Sequence, residues 1–426
     1  MNNSIPEEWC SKLFAELIES HNSGIYKKKE HYGEGTPIIG VSDIYKSLFV
    51  DGREFRRVPL NQDELHKYTL DEGDLLYGES SLVRSGIART VCTTKSGAGT
   101  AFAWHTRRIK IRKDQASPEF LVYLLDDATT RKAIESVATQ TALTGVTTKD
   151  YFGIRLTLPS LPEQKKIAAI LSSVDNVIEK IRAKIDKLKH LKTGMMQELL
   201  TKGIGHTEFK DSPLGRIPSS WNVKSLGALS SFVTSGSRGW AQYYSSSGAI
   251  FIRIGNLTRE HINLRFEDTV YVTPPASAEG KRTQVTIGDV LISITADLGV
   301  IGVVNESIGE AFVNQHISLV RLNEPALARW VGHFLAFENS QKQFIANNDA
   351  GAKAGLNLPA IRKTLVAIPA KDEREKIVAS LDSVDQDVSL KRDRLQRLLN
   401  LKKALMQDLL TGKVRVKVDQ KESAVA

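Results

Sequence analysis

The chain has 426 residues, 41% apolar and 25% charged, with a net charge of +9 at neutral pH. Such a composition excludes collagen-like and disordered chains, and the length suits two or three domains with separate cores. Cys10 and Cys92 are too few for a disulfide framework or zinc cluster, no apolar run reaches the roughly 18 residues of a spanning helix, and MNNSIPEEW has no leader pattern, so a cytoplasmic protein is expected.

Residues 1–159 alternate short β-branched runs with turn signals, as in TPIIGVSDIY (36–45), GDLLYGE (73–79) and RRIKIRK (107–113), followed by a helical patch, SPEFLVYLLDDATTRKAIES (117–136). This pattern predicts an α+β domain with a twisted sheet. Over 160–203 the apolar residues Ile167, Leu171, Val174, Ile178, Ile181, Ile185, Leu188, Met195 and Leu199 step by fours and threes, a heptad seam. Pro162 and Glu163 suit the first turn of such a helix, and Gly203 suits its end. A second α+β domain is predicted over 204–369, with strand runs at AIFIRIGNL (249–257), QVTIGDVLISI (284–294) and HISLVRL (316–322), then PALARWVGHFLAFENSQKQFIA (325–346) as helix. The seam returns over 370–414 at Ile377, Leu381, Val384, Val388, Leu395, Leu398, Leu405 and Leu409, entered by Asp372 and Glu373 and closed by Gly412. The tail, 415–426, is not expected to fold.

These elements form a tandem duplication. SLPEQKKIAAILSSVD (160–175) returns as AKDEREKIVASLDSVD (370–385), and LKTGMMQELLT (191–201) as LKKALMQDLLT (401–411), both displaced by 210 residues. Weaker echoes join SIPEEWCSKLFAEL to RIPSSWNVKSLGAL, EGDLLYGESS to IGDVLISITA, and AFAWHTRRIKI to AFVNQHISLVRL. A helix of about 42 residues, roughly 63 Å long, cannot leave an apolar stripe exposed. Two copies in one chain can bury their seams against each other. A pseudo-twofold makes the helices antiparallel, an intrachain coiled coil with one globular copy near each end. A coiled coil joining two chains is the competing reading, but it would need only one copy. Lys192, Lys402 and Lys391 interrupt the seam; a seam lysine weakens packing but can fix register, although the simpler reading is that the stems snorkel to water.

By segment, the charge is about 0 over 1–160, about +4 over 161–203, about +2 over 204–370 and about +3 over 371–415. The basic excess therefore sits on the predicted helices, where DNA phosphates or an acidic partner could use it. The loops hold residue types that read base edges. SGSRGWAQYYSSSG (235–248) offers Ser237, Arg238, Trp240, Gln242, Tyr243 and Tyr244, with Asn256, Asn314, Gln315, His316, Lys353 and Asn357 as further candidates in that copy. Their counterparts in the first copy are Lys27, Lys28, Lys29, Arg84, His105, Thr106, Arg107, Thr141, Thr144 and Thr147. Arg and Gln can pair bidentately with guanine and adenine, while hydroxyls and aromatics meet phosphate, sugar or thymine methyl. No Asn-Pro-Pro-Tyr motif, glycine-rich dinucleotide loop or GxxxxGK[ST] loop occurs, and His105 and His316 lack companions at metal-ligand spacing. Neither catalysis, a cofactor nor a metal is expected of this chain.

The stretch LPEQKKIAAILSSVDNVIEKIRAKIDKLKHLKTGMMQELLTKGIGHTEFKDSPLGRIPSSW resembles the central conserved region of type I restriction-modification specificity subunits, and KDEREKIVASLDSVDQDVSLKRDRLQRLLNLKKALMQDLLTGKVRV resembles their C-terminal one. The resemblance implies two target recognition domains, each reading half of a bipartite, asymmetric site in double-stranded DNA, with the helix pair setting the spacer. It also implies two modification (methyltransferase) subunits using S-adenosylmethionine and restriction/translocase subunits using ATP and Mg; no membrane partner is expected, because no apolar run is long enough to span one. The alternatives are a DNA-binding structural or scaffold protein, or a stand-alone nuclease or methyltransferase with an unrecognised active site.

Overall fold

The computed structural model describes residues 6, 8–140, 144–274, 278–305, 308–347 and 355–417. The chain divides into two compact units, Met1–Ile181 with Arg394–Ala426, and Arg182–Asp393. The division falls inside both long helices, so each unit is completed by a piece of helix from each copy.

In the first unit, the main sheet runs Ile18–Ser23, Thr106–Ile111, Leu75–Gly78, Thr90–Thr93 and Phe49–Val50. A smaller sheet orders Arg56–Val58, Thr36–Ile39 and Ala101–Phe102, the last two parallel. Ser117 caps the helix Pro118–Asp126, whose Pro118 needs no amide partner in the first turn. Its Phe120, Leu121 and Tyr123 pack beneath the main sheet with Leu75, Tyr77 and Ile109. Ile167 and Leu171, from one long helix, and Leu409 and Leu410, at the end of the other, join the same core.

The second unit repeats this plan. Its main sheet runs Ser230–Ser235, Ile317–Leu322, Val290–Ser293 and Ile301–Val303. A smaller one orders Tyr244–Ser245, Tyr271–Val272, Ala249–Ile252 and Ala311–Val313, with the last pair parallel as in the first unit. Trp221 and Trp330 meet edge to face at 5.6 Å in the core, which also takes Leu200, Ile377 and Leu381 from the helical segments.

The long helices span Leu161–Leu199 and Lys371–Leu409, 39 residues each. They stop short of the expected ends because the chain turns before reaching Gly203 and Gly412, which lie in the left-handed region (φ 67° and 73°). Within each unit the two helical segments run antiparallel. In the first, Asp175 meets Lys402; in the second, Lys192 meets Asp385. None of the described helices is long and apolar enough to cross a membrane.

Lys192 and Lys402 do not snorkel. The Lys192 ammonium lies 2.6 Å from Asp385, with side-chain exposures of 12% and 4%. The matching Lys402–Asp175 pair is also 2.6 Å apart but more open, at 19% and 22%. Each partner is the 210-residue counterpart of its equivalent, so one Lys–Asp contact is written twice. Lys391 differs again: it reaches Asp387 one turn away on its own helix, at 3.9 Å.

The helix-entry glutamates do more than complement the dipole. Glu163 accepts from the Arg415 guanidinium at 2.8 and 2.9 Å. Glu373 accepts from the Ile204 amide, His206 Nε2 and Trp221 Nε1. Each therefore pins the segment that follows the other helix.

Candidate nucleic-acid interface

In the first unit, Lys28, Lys29, His105 and Thr147 are exposed, while Lys27 is half-buried and bound to Glu64 at 2.7 Å. His105 occupies a left-handed turn (φ 64°) between the strands Ala101–Phe102 and Thr106–Ile111. Beside it stand two exposed aromatics passed over in the sequence, Tyr26 (59% exposed) and Trp104 (50%), with ring centroids 4.9 Å apart. Several other candidates have structural employment. Arg107 is paired with Glu79 at 2.7 Å, and Arg84 donates twice to the Glu135 carbonyl. Thr106 is buried and donates to the Ala103 carbonyl, Thr144 is buried in a short strand against Ser81, and Thr147 caps the following helix. Thr141 lies outside the described residues.

The 235–248 loop of the second unit divides more sharply. Arg238 and Gln242 are exposed, and Tyr244 is 48% exposed. Trp240 is 3% exposed, stacked on Phe251 at 5.7 Å with Tyr243 against its edge, which removes it from the set able to touch a groove. Flanking glycine and serine gave it the look of a loop residue, but Gly239, at φ 71°, turns the chain inward. Ser237 is likewise buried, bonded to Thr283 at 2.8 Å. Asn256 is buried too, accepting from the Arg253 amide and donating to the Arg265 carbonyl. Asn314, Gln315 and His316 form a half-buried turn; Asn357 is exposed and caps a helix through the Ala360 amide. Lys353 lies outside the described residues.

The turn is held by a hydrogen-bond chain. Thr295 Oγ1 and His316 Nδ1 are 2.7 Å apart, and His316 Nε2 lies 3.1 Å from Gln315 Nε2. With Nε2 unprotonated, the imidazole accepts one Gln315 N–H and leaves the amide oxygen and the second N–H for another partner.

Among the described residues, His333, Asp382 and Asp385 bring three potential metal-ligand atoms within 4.8 Å of one another. Their charges are already balanced. Arg329 grips Asp382 with two nitrogens, and Lys192 sits on Asp385. A dication would have to enter against two cations, so the set reads as an ion-pair network. Burial pushes the fully enclosed His333 imidazole below its usual range, leaving it neutral at pH 7. Burial alone would raise Asp382, but hydrogen bonds from His333 and Arg329 prevail and hold it down to about 2. Tyr123, 210 residues before His333, takes the corresponding place, bonded to Asp175 at 2.8 Å.

The sequence profile of the type I restriction modification DNA specificity domain matches residues 6–190 and again 218–400. A putative type I restriction enzyme specificity subunit of Methanocaldococcus jannaschii, MjaX, is 25% identical over 97% of this chain and 95% of its own length. The MjaVIII specificity subunit of the same organism is 28% identical over 67% of this chain and 68% of its own. In fold, the chain is similar to the type I restriction-modification S subunit of M. genitalium, with a TM-score of 0.64 at 14% identity over 96% of this chain and 97% of the other. Duplicated α+β units built on paired helices, matched twice by a DNA specificity domain, define a DNA sequence-recognition subunit. This chain belongs to the type I restriction-modification DNA specificity family.

Proposed function

We propose that this chain is a cytoplasmic, non-catalytic subunit in which each unit reads one half of a bipartite, asymmetric DNA site and the long helices set the gap between halves. Two modification subunits supply adenine methylation with S-adenosylmethionine, and restriction/translocase subunits supply ATP- and Mg-dependent cleavage. This chain holds none of those cofactors. The observation that carries the reading is the doubled plan with unlike loops: four strands of the main sheet follow the same order in both units, yet the exposed side chains at matched turns differ. A shared frame with different edges suits two unlike half-sites.

Selection from a randomised duplex library, using the chain assembled with its modification subunits, tests this. Enrichment of two distinct short motifs at one fixed separation is expected. Methylation or cleavage by the purified chain alone, given DNA, Mg and S-adenosylmethionine, would overturn the non-catalytic assignment.

A further inference from the structure

One backbone crossing occurs in both units with the same bonds. In the first, the Gly24 amide donates to the Thr106 carbonyl, Ile25 to Phe102 and Glu79 to His105. In the second, Gly236 donates to Ile317, Ser237 to Val313 and Ile294 to His316. Ile25 bridges Ala103 in parallel, as Ser237 bridges Asn314. The glycines make the crossing possible: a Cβ on Gly24 would lie 2.1 Å from the Ala103 carbonyl oxygen, and one on Gly236 would lie 2.0 Å from that of Asn314. The crossing thus fixes which positions correspond. Tyr26 stands where Arg238 does, Trp104 where Gln315 does, and a histidine (His105 or His316) follows in each.

We propose that this crossing is the base-reading cassette of each unit, with its two emergent side chains selecting the base edge. In the second unit, Arg238 is exposed and the amide of Gln315 is oriented by the Thr295–His316 chain. Those groups match guanine O6/N7 and adenine N6/N7. In the first unit the same positions carry an apolar ledge. The Tyr26 and Trp104 rings meet edge to face at 4.9 Å, and Trp104 packs on His105 at 3.9 Å. Two large aromatics about half exposed, brought together from two separate loops, are a poor use of surface in a lone protein. A ledge of that kind fits the 5-methyl group of thymine in the major groove, which offers apolar contact and no donor. Lys28 and Lys29, exposed on the same loop as Tyr26, supply charge toward the flanking phosphates. The cassette deepens the proposed DNA-reading function and rests on it.

The test exchanges the cassette in the full complex with modification subunits and reads the preferred DNA motif. Tyr26→Arg with Trp104→Gln should change one or two bases of a single half-site, lowering preference for the original bases by about tenfold or more. The other half-site and the gap should stay as they were. Arg238→Tyr should do the converse, altering only the second half-site. Should the double variant give no soluble complex, Trp104→Phe and Tyr26→Gln separately carry the same test. Unaltered base preference within about twofold, or equal weakening on every sequence, would overturn the cassette while leaving the bipartite reading intact. A wild-type complex with no bipartite preference would remove both.

Discussion

The Lys192–Asp385 contact makes the sharpest prediction about what holds the helices in register. At 2.6 Å and an effective dielectric of about 20, the gross attraction is about 6 kcal/mol, most of it offset by desolvation of two nearly buried charges. Lys192→Met removes one partner and leaves the Asp385 carboxylate enclosed, so the second unit should lose about 3–5 kcal/mol. The equivalent Lys402→Met acts on a pair that water reaches, and about 1–2 kcal/mol is expected in the first unit. Replacing both second-unit partners, Lys192→Met with Asp385→Leu, should restore stability to within about 1 kcal/mol of wild type. Urea denaturation followed by fluorescence of the buried Trp221 and Trp330 reads the second unit. A Lys192→Met loss below about 1 kcal/mol, or a double variant as weak as the single one, would refute the lock.

The His333–Asp382 network makes the second unit acid-sensitive. Both groups titrate below their ordinary values, so their contributions are full above the unfolded pKa and decline as pH falls: from about 6.5 downward for His333, and from about 4 toward about 2 for Asp382. His333→Gln should flatten the urea midpoint between pH 7 and 5; an unchanged slope would contradict this. Arg238→Ala should weaken discrimination only at the half-site read by the second unit, as measured by competition with single-base variants, whereas uniform loss would mark a phosphate contact. Deleting one heptad from each helix (180–186 and 390–396) keeps both Lys–Asp pairs and removes roughly 10 Å of rise. The preferred gap should contract by about 3 base pairs with both half-sites unchanged, as read by library selection.

Much of the fold was legible because long seams and a 210-residue repeat are dense signals. The sequence placed both helices and the β-rich segment that precedes each. It misread Lys192 and Lys402, because a seam lysine alone looks like a snorkelling stem. Asp175 and Asp385, repeated at the same displacement in the SVD motif, were the overlooked half of each pair. The loops were less readable. Trp240 and Asn256 sit in glycine-flanked stretches that look exposed, yet stacking and internal turn bonding enclose them. Tyr26 and Trp104 were missed for the opposite reason. The Trp104–Gln315 match lies within the AFAWHTRRIKI echo, but that of Tyr26 to Arg238 depends on a crossing of distant strands that local composition does not encode.

Mapping adenine methylation across the host genome by long-read sequencing, with this chain as the sole specificity subunit expressed, tests bipartite recognition most directly. A motif of two unlike short halves separated by a constant number of unspecified bases is predicted. One uninterrupted motif, or two identical halves, would contradict two diverged readers acting through a fixed spacer.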